Sequence, residues 1–194
     1  MTKKLLIFLA LSPYVIHSMN QEERDRALFN AISSQDLTKV KQQVEAGADV
    51  NCCDSNPESG FTALQWSCCK DSFEIAQYLI TNGANVNTKD NNYLTPLHYA
   101  CWTDLFGLWK IRLKTVQLLL ENGADIYVKS YKDHTPLDIA KCDKRNDPIT
   151  QLLIAEDQKR KEKLLSLNKP RLISFVTKNP NSFSCPALAI LQRK

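Results

Sequence analysis

Apolar residues recur with helical period along this chain, in short bursts that are cut off at regular intervals. Ile75, Leu79 and Ile80 share one helix face, as do Val116, Leu119 and Leu120. The bursts close on one phrase: Gly47-Ala-Asp-Val-Asn51, Gly83-Ala-Asn-Val-Asn87 and Gly123-Ala-Asp-Ile-Tyr127. Glycine there accepts the left-handed backbone that ends a helix. A second phrase opens helices: Thr62-Ala-Leu, Thr95-Pro-Leu and Thr135-Pro-Leu. Threonine accepts from orphan backbone N–H groups, and proline at the first helical position lacks only an N–H that no helical partner requires. The run from Thr95, Pro96, Leu97 and His98 to Gly123 therefore predicts two helices joined by a tight turn.

Register makes the pattern specific. The three starts are separated by 33 and then 40 residues, so the third unit carries seven extra positions. A small residue (Ala31, Ser67, Ala100, Ala140) aligns in each first helix, where it lets neighbouring helices approach closely. Several positions recurring together resemble the ankyrin repeat, roughly D-x-x-G-x-T-P-L-H-x-A with a later L-L-x-x-G-A-D-x-N, over about residues 21 to 157. The resemblance implies an all-α solenoid of about four stacked helix-turn-helix units with β-turn fingers. A domain over 20–157 then holds units at about 21–51, 52–87, 88–127 and 128–157. Asn20 and Glu23 make a capping-box start for the first unit, which lacks a finger and suits an N-terminal cap. In the fourth unit, the second helix has Glu156 where the glycine stop belongs, so it is expected to run on through Lys161 to Leu165. Residues 158–194 make a helix extension and a tail of unknown fold, punctuated by Pro170, Pro180 and Pro186.

The N-terminus reads differently. Lys3-Lys4, an apolar run from Leu5 to Ile16 and then Ser18 follow the order of a secretory signal peptide over 1–18. This predicts an exported protein, periplasmic or extracellular, or a cytoplasmic one if the signal is not used. The formal charge is +4, and 23 cations against 21 acids remain once residues 1–18 are set aside. So weak a balance argues for no nucleic acid and no membrane partner beyond the signal segment.

Repeat modules of this family bind other proteins on the fingers and the first helices, so the resemblance implies a non-catalytic, monomeric interaction module. Just before the aligned small residues stand Asn30, Trp66, Tyr99 and Ile139, the last three an expected apolar column in the groove of the second to fourth units. Finger contacts are expected from Asp54, Asn92, Tyr93, Tyr131 and Lys132, with Tyr93 and Asp133 replacing the family's turn glycine and altering those turns. The extra residues of the third unit gather Trp102, Leu105, Phe106 and Trp109 between its helices. They are expected to pack as a satellite core, with a second contact site as the alternative, and the second helix is expected to begin a turn or more early.

Seven cysteines are present, an odd number for an exported chain. Cys68 and Cys101 occupy equivalent positions in stacked units about 10 Å apart, beyond the Cα reach of a disulfide of about 7 Å. Small buried thiols are the expectation. The chain contains no C-x2-C pair, no glycine-rich phosphate loop and no G-x-S-x-G elbow, so metal, cofactor and catalytic residues are all expected to be none. The alternative function is a thiol-based redox or metal-binding protein on a repeat scaffold.

Overall fold

A computed structural model describes residues 20–54, 60–102, 109–142 and 147–178. The expected signal segment, Ser55, Asn56, Glu58, Leu105, Phe106 and the last sixteen residues lie outside them. Eight helices occur among the described residues: α1 (Gln21–Ser33), α2 (Leu37–Glu45), α3 (Ala63–Cys69), α4 (Phe73–Thr81), α5 (Pro96–Cys101), α6 (Trp109–Glu121), α7 (Pro136–Lys141) and α8 (Asp147–Lys178). The fold is an all-α stack of repeats. Within a unit the helices pair α1 with α2, α3 with α4 and α5 with α6. Between units α1, α3, α5 and α7 form one row, and α2, α4 and α6 a second.

The helix stops work as their sequence predicts. Gly47, Gly83 and Gly123 take φ of +92°, +90° and +83°. The next residue then donates back five positions, as from Ala84 N–H to the Leu79 carbonyl, at 2.9–3.0 Å after all three stops. An asparagine after each of the first two stops joins it to the next one. Asn51 donates to the Gly83 carbonyl at 3.2 Å and accepts from Asn85 N–H at 2.8 Å. Asn87 does the same to Gly123 at 3.1 Å and Asp125 at 2.8 Å. Register between units is therefore held by paired amide bonds as well as by packing.

The core runs through the rows without a break. Leu28, Ile32, Leu64, Leu79, Leu97, Leu119, Ile149 and Leu153 are at most 1 % exposed. Each such side chain contributes about 1.5–3 kcal/mol by leaving water. The aligned Ala31, Ser67, Ala100 and Ala140 are all buried, which suits close approach in the first-helix row.

The third unit's extra residues lengthen a helix. Counting back from the glycine stops, the start of α4 at Phe73 corresponds to position 113, yet α6 opens at Trp109. The added turn carries Arg112, whose Nη2 donates to Asp71 Oδ2 at 2.9 Å while Nε stands 2.8 Å from Oδ1. Both side chains are nearly dry, at 4 % and 6 % exposure. Asp71 sits at φ +56° in the turn between α3 and α4, so the fork ties the second unit's tight turn to the third unit's long helix.

Residues to Leu153 form one compact unit and those from Ile154 a second. In the second, α8 continues past Leu165 to Lys178 and through Pro170, one of the prolines expected to punctuate the tail. Glu156 receives Arg160 at 2.9 Å and Lys161 pairs with Asp157 at 2.7 Å, so successive turns are bridged at i, i+4. Among the described residues, no helix is long and apolar enough to cross a membrane.

Candidate functional site

Each finger is a short antiparallel closure made by one polar side chain. Asp54 N–H donates to the Phe61 carbonyl at 2.8 Å, and Phe61 N–H returns to Asp54 Oδ1 at 3.0 Å. Asp90 repeats the arrangement with Leu94, at 3.0 and 2.8 Å. Ser130 closes the third finger on His134 at 2.9 Å. The residue two before each threonine cap turns the chain: Gly60 at φ +60°, Tyr93 at +58° and Asp133 at +64°. The expectation that Tyr93 and Asp133 alter their turns is corrected, because both adopt the glycine conformation. For a tyrosine that conformation costs about 1–2 kcal/mol. Adjacent fingers touch: Asn91 crowds Gly60, and Tyr131 N–H donates to the Asn92 carbonyl at 2.9 Å.

Beneath the fingers, the third residue of each first helix returns to its cap. Glu23, Gln65, His98 and Asp138 accept from the N–H of Asn20, Thr62, Thr95 and Thr135 at 2.6–3.0 Å. The two central ones also reach the next finger. Gln65 Nε2 donates to the carbonyls of Thr88 at 3.0 Å and Leu94 at 2.9 Å. His98 Nδ1 accepts from Thr95, which leaves the proton on Nε2, 3.2 Å from the His134 carbonyl. Fully buried, His98 has its pKa held below the ordinary imidazole value by desolvation, partly offset by the carbonyls of His134 and Val128.

The residues expected to bind separate into floor and rim. Tyr99 is 9 % exposed and its hydroxyl donates to the buried carboxylate of Asp90, so the expectation of an exposed aromatic column is corrected at this position. Burial first, and then that carboxylate, push its hydroxyl pKa upward. Phe61, which the sequence reading passed over, sits between the two rings, 5.4 Å from Trp66 and 5.1 Å from Tyr99. Trp66 is half-buried, donates from Nε1 to Ser33 Oγ at 2.9 Å and lies under Lys70 Nζ at 4.9 Å. Ile139 is likewise half-buried against the core. Asp54 is engaged in finger closure. The exposed aromatic surface lies elsewhere: Tyr93 at 53 %, Trp102 at 56 %, Tyr127 at 50 % and Tyr131 at 79 %. Asn92 and Lys132 are exposed beside the finger tyrosines. Trp109 opens α6, and its side chain lies outside the described residues. Tyr127 was legible as the third unit's departure from asparagine, whereas Arg112 and Asp71 carried no local signal.

Burial disfavours the thiolate at the cysteines buried in the stack. Burial pushes the Cys68 thiol up to about 12, and burial with Asp25 and Asp49 does the same for Cys52. Cys101 is also raised, by burial and then by Cys68. Thiolates are stabilised by nearby cations or helix N-termini, and the leading causes here act the other way. No group of three His, Cys, Asp or Glu side chains able to hold a metal occurs among the described residues.

A family model described as ankyrin repeats (3 copies) matches residues 28–130. The chain is 32% identical over 126 residues to an E3 ubiquitin-protein ligase, Ufd4, of Drosophila melanogaster, covering 64% of this chain and 4% of that protein. It is 29% identical over 170 residues to the E3 ubiquitin-protein ligase hecd-1 of Caenorhabditis elegans, covering 86% and 6%. With the mouse ankyrin repeat, SAM and basic leucine zipper domain-containing protein 1 it shares 30% over 120 residues, covering 62% and 24%. The chain thus spans at most about a quarter of the length of these relatives.

Proposed function

This chain belongs to the ankyrin-repeat family, and from that premise we propose that it is a non-catalytic module whose partner protein docks across the fingers and the first-helix row. Ankyrin repeats are a general protein-interaction module. The observation that carries the docking reading is the set of exposed rings, with Tyr93, Trp102 and Tyr131 all more than half exposed. Large rings are enriched at the energetic centre of interfaces, where two torsions fix much contact area. Tyr93 adds a second argument, because it keeps a strained turn conformation that glycine holds in the first finger. The half-buried Trp66 and Ile139 form the floor, while Tyr99 and Asp54 position the fingers.

A non-catalytic role agrees with thiols pushed upward and with the sequence's lack of phosphate-loop and nucleophile motifs. The ligases among the relatives are many times longer than this chain, and their activity is not carried over to it. We further propose a monomer that is exported through residues 1–18, on the charged, apolar, small-residue order of that segment. N-terminal sequencing of the mature protein tests export, and a start at Met1 overturns it. For docking, captured proteins are compared between the native chain and Tyr93→Asp, Trp102→Asp and Tyr131→Asp. All three positions are exposed, so folding is expected to survive, and unchanged capture by every variant would overturn the site.

A further inference from the structure

Acids and lysines are used differently along the fingers and the first-helix row. Asp54 accepts from Phe61 N–H, and the buried Asp90 takes Tyr99 and the turn amides. Asp133 pairs with Lys129 at 2.9 Å and Asp138 holds Thr135. These carboxylates are spent on the scaffold. Lys70, Lys89 and Lys132 make no ion pair among the described residues, and the first two stand beside a ring. Lys70 lies 4.9 Å from the Trp66 centroid, Lys89 6.0 Å from that of Tyr93, and Lys132 follows Tyr131.

The second-helix row has a different balance. Lys39 pairs with Asp36 there and Arg112 with Asp71. Lys41 does stand 5.7 Å from the Tyr78 ring, but Glu45, Glu74 and Glu121 share that row with Lys41 and Lys114. Lysines without an ion pair, two of them against rings, therefore distinguish the finger and first-helix side.

We infer that the partner docking here presents an acidic segment interspersed with aromatic or apolar residues. This rests on the docking reading above and adds the partner's chemistry. Carboxylates of the segment meet Lys70, Lys89 and Lys132, and its rings stack on Trp102, Tyr93 and Tyr131. An anionic membrane offers the same charge but presents a plane. Lys89 and Lys132 stand on the fingers, whereas Lys70 follows the last residue of the seven-residue α3, about 10 Å further along the helix. A chain running from the finger tips across the helix row fits that depth.

The test uses the full chain against a displayed library of short random peptides, with affinities measured for those enriched. Acidic, aromatic-containing peptides are expected to dominate. The triple variant Lys70→Glu, Lys89→Glu, Lys132→Glu should weaken them by about 10-fold or more, with a matching loss of the native chain's salt sensitivity. Enrichment of neutral or basic peptides, or of none, overturns the inference. So does an unchanged affinity in the triple variant. If such peptides are lost on Trp102→Asp with Tyr131→Asp but not in the lysine variant, docking stands and the acidic partner falls. If neither set of variants matters, the docking reading falls with it. Binding to phosphatidylserine vesicles that depends on the three lysines, without acidic peptide enrichment, would reassign them to a membrane and overturn the inference as well.

Discussion

Gln65 and His98 stand at the same position in successive units and do the same work with different chemistry. Each accepts from its own threonine cap and donates forward to a finger carbonyl. Gln65 has two amide protons and closes two carbonyls of the second finger, at any ordinary pH. His98 has one proton to give and can take up another, so the joint to the third finger depends on which form the imidazole holds. Two joints at the same repeat position thus differ in what can undo them. The earlier joint is further reinforced by Asp71 and Arg112, in a turn and a helix that the repeat pattern alone does not connect.

The largest effect is expected at that reinforcement. Arg112→Ala leaves Asp71 buried without its cation and should cost about 3–5 kcal/mol in denaturant unfolding. Asp71→Gly combined with Arg112→Leu should recover most of it, since glycine suits φ +56° and leucine fills part of the volume. At the later joint, His98→Ala abandons the buried Thr95 N–H and the His134 carbonyl, for about 2–3 kcal/mol. His98→Gln copies Gln65 and should lose much less; equal losses in the two variants would refute the equivalence of the joints.

The pH response separates the joints further. Desolvation lowers the His98 pKa from its ordinary 6.5, so below about that pH the unfolded chain binds a proton that the folded chain refuses. Stability from this group is complete above pH 6.5 and declines as pH falls below it, until the folded imidazole itself protonates. Unfolding measured between pH 7 and 5 should show this slope in the native chain and a reduced one in His98→Gln. The smallest effect compares the finger tips. Tyr93→Gly should raise stability by about 1 kcal/mol by relieving the left-handed tyrosine, making the second finger resemble the first. A loss instead would show that the Tyr93 ring contributes more to folding than its exposure suggests.

Much of the fold was legible because repeats write the same local physics several times. Thr62, Thr95 and Thr135 start helices and Gly47, Gly83 and Gly123 stop them, each by contacts within a few residues. The early start of α6 was legible for the same reason. The site was less legible, because exposure depends on partners distant in sequence or hidden by the turn. Tyr99 occupies a groove position of the repeat, and its burial follows from Asp90, nine positions earlier, which accepts from its hydroxyl. Arg112 and Asp71 are 41 residues apart and obey no short period. Tyr93 and Asp133 misled because propensity opposes the conformation that the finger closures impose. The length of α8 was missed because Pro170 ordinarily marks a boundary.

The asparagine bridges have a further consequence. Asn51 and Asn87 each clasp the following stop, but Tyr127 holds the third position and cannot offer a paired amide donor and acceptor. The clasp ends where the fourth unit has no glycine to receive it. Pulled from its two ends, the array should therefore yield in order, with the fourth unit peeling away before the clasped second and third, and a new repeat grafted there would hold only if Tyr127 became asparagine.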